Sequence, residues 1–539
     1  MSNSWWPRMS RAETLAFTAI LLLALGVRLI GISTESFWVD EAASWVFSRM
    51  PLAELWGNTA FEPHPPLYYT ILKFWSWVFG NSEAALRSLS TLVNLVTVFL
   101  VFHIGRLVLE GKEGFWLGLV AAGLIAVHPV QIHYAQEARG YAMLVLGATM
   151  VLLALTWWLK HPEALSKPPL ETLRTATVRE WQVMCLFVFG AALAFWMNHT
   201  AVLLLGSVIA VAAIVLIIDN AGRRGATVAN FAMLAVVILV LWAPAVPRVF
   251  SGLDKIQSGF WLLAPSIYGV IQRLDYLFGS ATYDLFTTAR DRVIAICCVG
   301  LLVAAGAAAL IHRGKWRIAL LLAAAALLPA IVSLIATFTF TPIFIPRPLI
   351  WVQIGYMLLA AASVLWIRSI PARSVVLAGA LVALTSFALT HRATKEPWRQ
   401  IVEVLQEQSQ PNDLIITWYN YAQVPLEYYD AANRVPARRL PLWKSDLKYP
   451  TMADVLMYDN HFDTDEVMER VREAERNSAH IWVIVHGSTN DVIVKQIYEL
   501  LATKRGQPEV KFDYQLPSGM DAHIHVARYE VAGSPVGGD

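Results

Sequence analysis

Residues 14–47 read "TLAFTAILLLALGVRLIGISTESFWVDEAASWVF". The stretch as far as Ile32 is an apolar run long enough to cross a bilayer, broken only by Arg28 near its end, where a long cation can snorkel to the interface. The part that follows holds two adjacent carboxylates, Asp40 and Glu41, set among Phe37, Trp38, Trp45 and Phe47. An ionised side chain at the bilayer centre costs roughly 2.5–3.5 kcal/mol or more, so the acidic pair belongs at the membrane edge. Acids and bulky aromatics follow the run where a secretory leader would carry a small-residue cleavage site, so it is read as a retained span.

The rest of the chain agrees. Of 539 residues, 57% are hydrophobic and 15% charged, against about 25% charged in soluble domains. Lys plus Arg (42) nearly balances Asp plus Glu (40), so no global field argues for a nucleic-acid partner. Cys185, Cys297 and Cys298 all lie in apolar runs, which leaves no disulfide framework. Further runs of bilayer length are predicted at 88–109, 115–133, 139–159, 181–198, 200–218, 227–246, 292–311, 317–337, 348–367 and 373–390. With 14–32 they give about eleven transmembrane helices. Arg8 and Arg11, Arg106 and Lys112, Lys160 to Arg179, Arg223 and Arg224, Arg313 to Arg317, and Arg368 and Arg373 fall on one side. By the positive-inside rule that side is cytoplasmic, with the N-terminus. Everything after the last span is then non-cytoplasmic, in a multi-pass protein of the cell (inner) membrane.

Residues 391–539 alternate β-rich runs, "DLIITWY" and "HIWVIVHG", with amphipathic helical stretches, "WRQIVEVLQEQ" and "DEVMERVREAER". A soluble α/β domain is expected there. The expected organisation is a transmembrane module over 1–390, with long external loops at 33–87 and 247–291, followed by that domain. The first loop carries "DEAASWVFSRMPLAELW", predicted to be an interfacial helix with Trp38, Trp45, Val46 and Trp56 facing lipid.

Under this topology the ionisable residues gather at one face: Asp40 and Glu41, Glu62 and His64 in "FEPHPPLYY", Glu137 and Arg139 in "YAQEARGYAM", and Arg347 in "IFIPRPLIW". The span centres hold almost none, which disfavours an ion-coupled transporter with a midplane site. Arginines offer a bidentate fork to phosphate, and a carboxylate beside an acceptor hydroxyl is a general base. That pairing suits sugar transfer from a lipid phosphate. Duller readings stand beside it. Asp40 could cap the interfacial helix, and Glu41 and Glu137 could serve helix dipoles. Arg87, Tyr68, Tyr69, Tyr141 and Arg347 could be interface anchors. His128 and His133 are assigned to helix-end packing.

The order first span, "DE", "HPPLYY", "ALRSLS", "QEARGYA" resembles the bacterial branch of the dolichyl-phosphate-mannose protein mannosyltransferase superfamily. That branch includes lipid A aminoarabinose transferases and lipopolysaccharide galacturonosyltransferases, of GT-C architecture. The similarity covers most of the chain and is strongest over 14–160. It implies a polyprenyl-phosphate sugar donor and a lipid, glycan or protein acceptor. Asp40 matches the family's catalytic base and Glu41 its neighbour. Glu137 stands where the family places a second acid, usually Asp. Arg139, Arg347 and Arg87 would bind the donor phosphate, although Arg347 is followed by Pro where the family has Tyr. Glu62, His64, Tyr68 and Tyr141 would line the substrate. The aminoarabinose transferases carry Glu-Lys-Pro-Pro where this chain has Pro63-His64-Pro65-Pro66, so a divalent metal on Glu62 and His64 is left open. A transporter of a lipid-linked sugar or polysaccharide, and a membrane-anchored receptor or scaffold, are the alternatives from other classes.

Overall fold

The computed structural model describes residues 9–57, 65–249, 264–279, 288–392, 394–418, 420–440, 464–487, 491–515 and 523–530. By internal packing the chain falls into two compact units. One comprises residues 1–32, 63–71 and 87–392, the other 33–62, 72–86 and 393–539.

The first unit holds the membrane-spanning helices. Among the described residues nine helices are long and apolar enough to cross a bilayer, or ten if a bent pair counts as one span. The pair is Gly111–Val127 and Pro129–Ala135, bent by 62°. The single span predicted at 115–133 is therefore broken. Pro129 has no N–H to continue the helix, and its ring drives His128 into extended backbone (φ −68°, ψ 124°). The run predicted at 348–367 is a shorter apolar helix, Val352–Trp366. A 3₁₀ turn, Arg347–Leu349, precedes it and another, Ser363–Trp366, forms its end. Two spans start with reciprocal caps, Ser10 with Glu13 and Thr177 with Glu180, each satisfying orphan amides.

Small residues let these helices approach closely, as they do where lipid supplies no hydrophobic drive. A methyl added at Gly147 would stand 2.6 Å from the Gly190 carbonyl oxygen, between helices Tyr141–Lys160 and Val178–Met197. One added at Gly306, in Ala289–His312, would overlap the Leu359 carbonyl oxygen of the central helix Val352–Ala362. Gly306→Ala is therefore expected to cost about 1–3 kcal/mol through forced backbone movement. Gly379→Ala, on the exposed surface of Ile370–Thr390 with nothing within 4 Å, should be neutral or mildly stabilising. Thermal unfolding of the two variants in detergent checks the contrast.

Arg28 does not snorkel. It is fully buried and donates to the carbonyls of Ala24 (2.9 Å), Ala126 (2.7 Å) and Ile125 (3.2 Å) and to Asn94 Oδ1 (2.9 Å). The break at Pro129 explains this, because Ile125 would ordinarily bond the N–H four residues on, which proline lacks. The guanidinium also meets the negative end of Gly111–Val127.

In the second unit, residues from both ends of the chain build an α/β fold. Five strands, β1 (Leu414–Trp418), β2 (Arg438–Leu440), β3 (Ile481–Gly487), β4 (Glu509–Gln515) and β5 (His523–Tyr529), lie in the order β2-β1-β3-β5-β4. β1 is parallel to β2 and β3, whereas β5 is antiparallel to β3 and β4. Every residue from Ile481 to Val485 is buried, since both faces are covered. Ile481, Val483 and Val485 face a layer with Val471, Val494, Ile497 and Leu501. Trp482 and Ile484 face another with Trp398, Ile401, Leu405 and Leu426. Val39, from the segment that follows the first span, belongs to that second layer.

Helix Val39–Arg49 is therefore not a lipid-facing amphipath. Trp45 and Val46 are buried, with Trp45 edge-on to Tyr428 at 5.2 Å; only Trp56 of the aromatic set is exposed. The helix enters through a strap that helix Trp398–Gln408 holds. Arg399 donates to the carbonyls of Thr34 (3.2 Å) and Ser33 (3.1 Å) and to Glu83 (2.5 Å). Burial works to lower the guanidinium's pKa, but Glu83, with Tyr429 and Glu403, more than offsets it and raises that pKa. The Tyr429 hydroxyl donates to Glu83 and accepts from the Phe37 amide at 2.6 Å. Burial, reinforced by Glu83, pushes that phenol well above its usual range and keeps it the donor.

Candidate active site

The candidate residues are distributed over both units. In the second, Asp40 and Glu41 occupy the first turn of Val39–Arg49. The N-cap is Trp38, so Asp40 lies inside the helix and the capping role is overturned. Asp40 is half-buried. Glu41 is completely buried and ion-paired to Lys395 Nζ at 2.8 Å. Removing two such charges from water is costly unless they are paired, and Lys395, 354 residues on, supplies the pairing.

In the first unit, the break at Pro129 starts a short helix, Pro129–Ala135, and a tight turn that carries Glu137 and Arg139. The Arg139 amide donates to the Glu137 carbonyl at 2.9 Å, and both side chains are buried. His133 lies 3.7 Å from Glu137, one helical turn away. Arg139 Nη1 donates to the Tyr69 hydroxyl at 3.1 Å, and Tyr69 stands edge-on to Tyr68 at 5.7 Å. Helix Tyr141–Lys160 begins immediately after, so its positive end lies beside Arg139. Tyr141 is buried edge-on to Tyr134 at 5.2 Å. Arg347 is half-buried on the 3₁₀ turn Arg347–Leu349, which packs against helix Tyr141–Lys160. Two arginines thus flank one helix whose start favours anions. Arg87 is buried and donates to the Ile32 carbonyl at 2.8 Å, at the end of the first span. Glu62 and His64 lie outside the described residues. Among the described residues no three His, Cys, Asp or Glu side chains gather as a metal site.

Sequence reasoning missed an amide chain behind these residues. Arg28 donates to Asn94 (2.9 Å), Asn94 to Gln131 (3.0 Å), Gln131 to Gln353 (2.8 Å), and Gln353 to the Leu277 carbonyl (3.2 Å). Its direction is forced, because a guanidinium can only donate and a carbonyl can only accept. Gln131 Nε2 also reaches the Ile350 carbonyl at 3.4 Å. On the other side of the Arg347 turn, Arg273 Nη1 holds the Phe344 carbonyl at 2.7 Å. The turn is thereby fixed both upstream and downstream to helix Ile267–Phe278 and to the segment leading to Arg139. The available signal was the isolated Asn and Gln within apolar runs, which must find partners inside a bundle. His128 bonds Tyr356 at 3.0 Å, in the helix-end role expected of it.

A scan against protein-family models finds no match, and a search among curated proteins likewise finds none. Comparison with solved structures finds similarity over nearly the whole chain. ArnT from Cupriavidus metallidurans in the apo state superposes with a TM-score of 0.58 at 14% identity, covering 96% of this chain and 98% of that one. The same enzyme bound to undecaprenyl phosphate gives 0.56 at 15% identity, with the same coverage. The archaeal oligosaccharyltransferase AglB from Archaeoglobus fulgidus, in complex with an inhibitory peptide and a dolichol-phosphate, gives 0.51 at 13% identity, covering 88% of this chain and 69% of that one. The likeness is one of fold: a polytopic helical membrane protein with a C-terminal mixed α/β sheet, folded as ArnT and AglB are.

Proposed function

We propose that the protein is an inverting glycosyltransferase that moves a sugar from a polyprenyl-phosphate donor to an acceptor hydroxyl of a lipid, glycan or protein on the non-cytoplasmic face of the membrane. The observation that carries this reading is the fold shared end to end with ArnT, one structure of which is bound to undecaprenyl phosphate. In this reading Asp40 takes the acceptor's proton and the freed oxygen attacks the anomeric carbon. The bond from that carbon to the phosphate oxygen breaks, and polyprenyl phosphate leaves from the opposite face. Arg139 and Arg347 balance the charge that grows on the phosphate, the dominant electrostatic contribution in such a transfer. The buried Tyr69 hydroxyl fixes the Arg139 fork, and Glu137 orients the acceptor. Tyr68 and Tyr141 belong to the donor wall, and Glu41 is structural because Lys395 holds it.

A transporter needs polar groups open to a passage. In the described bundle the buried amides of Asn94, Gln131 and Gln353 are spent on one another, which favours the transferase. The test is release of free polyprenyl phosphate from a panel of synthetic polyprenyl-phosphate sugars, with membrane extract as acceptor. Sugar-dependent release that places label on an acceptor is expected. Movement of the lipid-linked sugar across vesicles without release would replace this reading with transport. The same assay with a chelator reads whether a divalent cation takes part.

A further inference from the structure

Asp40 is seated by a dipeptide far away in the chain. It is the second residue of Val39–Arg49, and the N-cap Trp38 provides no side-chain acceptor. The amides of a helix's first turn need acceptors from outside. Val39 N–H finds Glu396 Oε2 at 3.1 Å. One residue beyond Asp40, the buried carboxylate of Glu41 is held by Lys395 Nζ at 2.8 Å. Lys395 and Glu396 thus grip the residues immediately before and after Asp40. The grip is itself braced, because Glu396 bonds His486 Nε2 of β3 at 2.9 Å and Trp398 Nε1 at 2.5 Å. The Lys395 amide is tied to Glu35 Oε2 at 3.1 Å. All of these groups lie within one compact unit.

We propose that Lys395 and Glu396 are positioning residues for Asp40, and that the C-terminal segment takes part in transfer by seating the base. The inference rests on the reading of Asp40 as that base. A reacting group misplaced by about 1 Å can cost on the order of 100-fold in rate, so a braced grip on both neighbours has a direct chemical use.

The test uses the full-length protein and the polyprenyl-phosphate sugar found to be its donor. Glu396→Ala is expected to lower kcat by roughly 10–100-fold with KM for the donor unchanged, and Glu396→Gln, which keeps an acceptor for the Val39 amide, to restore most of it. Lys395→Met should show the same split, and Lys395→Arg the same rescue. In an Asp40→Asn background neither Glu396→Ala nor Lys395→Met should cause further loss, because both act through Asp40. Amide hydrogen exchange supplies a readout independent of activity: over 38–43 it should quicken about tenfold in Glu396→Ala, an expected hydrogen-bond loss, while β1 and β3 stay protected. Unchanged kcat with quickened exchange would overturn the proposal, as would equal losses in both backgrounds. If Glu396→Ala loses protection in β1 and β3 as well, the Lys395 pair decides by the same criteria. Absence of transfer by the wild type would overturn the functional reading instead, and exchange would still decide whether Glu396 holds the helix.

Discussion

Asp40→Asn is expected to lower sugar transfer by roughly 10²–10⁴-fold, the usual worth of a general base. The amide has nearly the shape of the carboxylate but cannot take the acceptor's proton. Fold and donor binding should survive. Asp40 is only half-buried, and its backbone contribution, the carbonyl that accepts from Ser44 Oγ at 3.0 Å, is untouched. Turnover measured as polyprenyl phosphate released, beside donor affinity measured directly, checks both halves. Turnover within tenfold of wild type would remove Asp40 from the base role.

The second large effect concerns stability. Asp275 and Arg292 are both buried and meet at 2.8 Å, joining helix Ile267–Phe278 to Ala289–His312. Removing one member strands the other's charge, which typically costs about 3–5 kcal/mol. Asp275→Leu and Arg292→Met are each expected to lower the thermal midpoint strongly, and the double variant to recover much of the loss. The damage should also reach the proposed donor site. Helix Ile267–Phe278 contributes Arg273 to the Phe344 carbonyl and accepts from Gln353 at Leu277, so it sets the turn that bears Arg347. Either single variant is therefore expected to weaken donor binding even below its own unfolding temperature. A loss in the double variant equal to the sum of the two single losses would show that the pair is not coupled.

Local patterns carried much of this architecture. Long apolar runs marked each membrane helix, and the fully apolar run at Ile481–Val485 marked a strand covered on both faces. The break at His128 had a local cause in Pro129, but the apolar residues on either side disguised two helices as one. What could not be read was whatever depends on partners distant in the chain. Arg28 lies where a snorkelling residue would, and only the carbonyls orphaned by the broken helix show why it turns inward. Trp45 has the pattern of a lipid-facing residue, yet Tyr428 covers it. Glu41 gives no sign within its own segment that Lys395 will neutralise it. In the candidate site, the motifs named Arg139 and Arg347, and Tyr69 only as an interface anchor, whereas its bond to Arg139 and the partners of Gln131 and Gln353 follow only from packing.

The unit that holds Asp40 is built from segments made early and late, and this has a consequence for biogenesis. Val39 and the Glu396 that caps its helix are 357 residues apart. At about 5–20 residues per second, a ribosome needs roughly 20–70 s to get from one to the other. The last apolar span ends at Thr390, before either Lys395 or Glu396 has been synthesised. Strand β3, whose His486 braces Glu396, follows later still, so every span can be made while the helix bearing Asp40 still lacks its full seat. Making the membrane spans and seating the helix that bears Asp40 are thus separate events, the second waiting on the last strands of the chain.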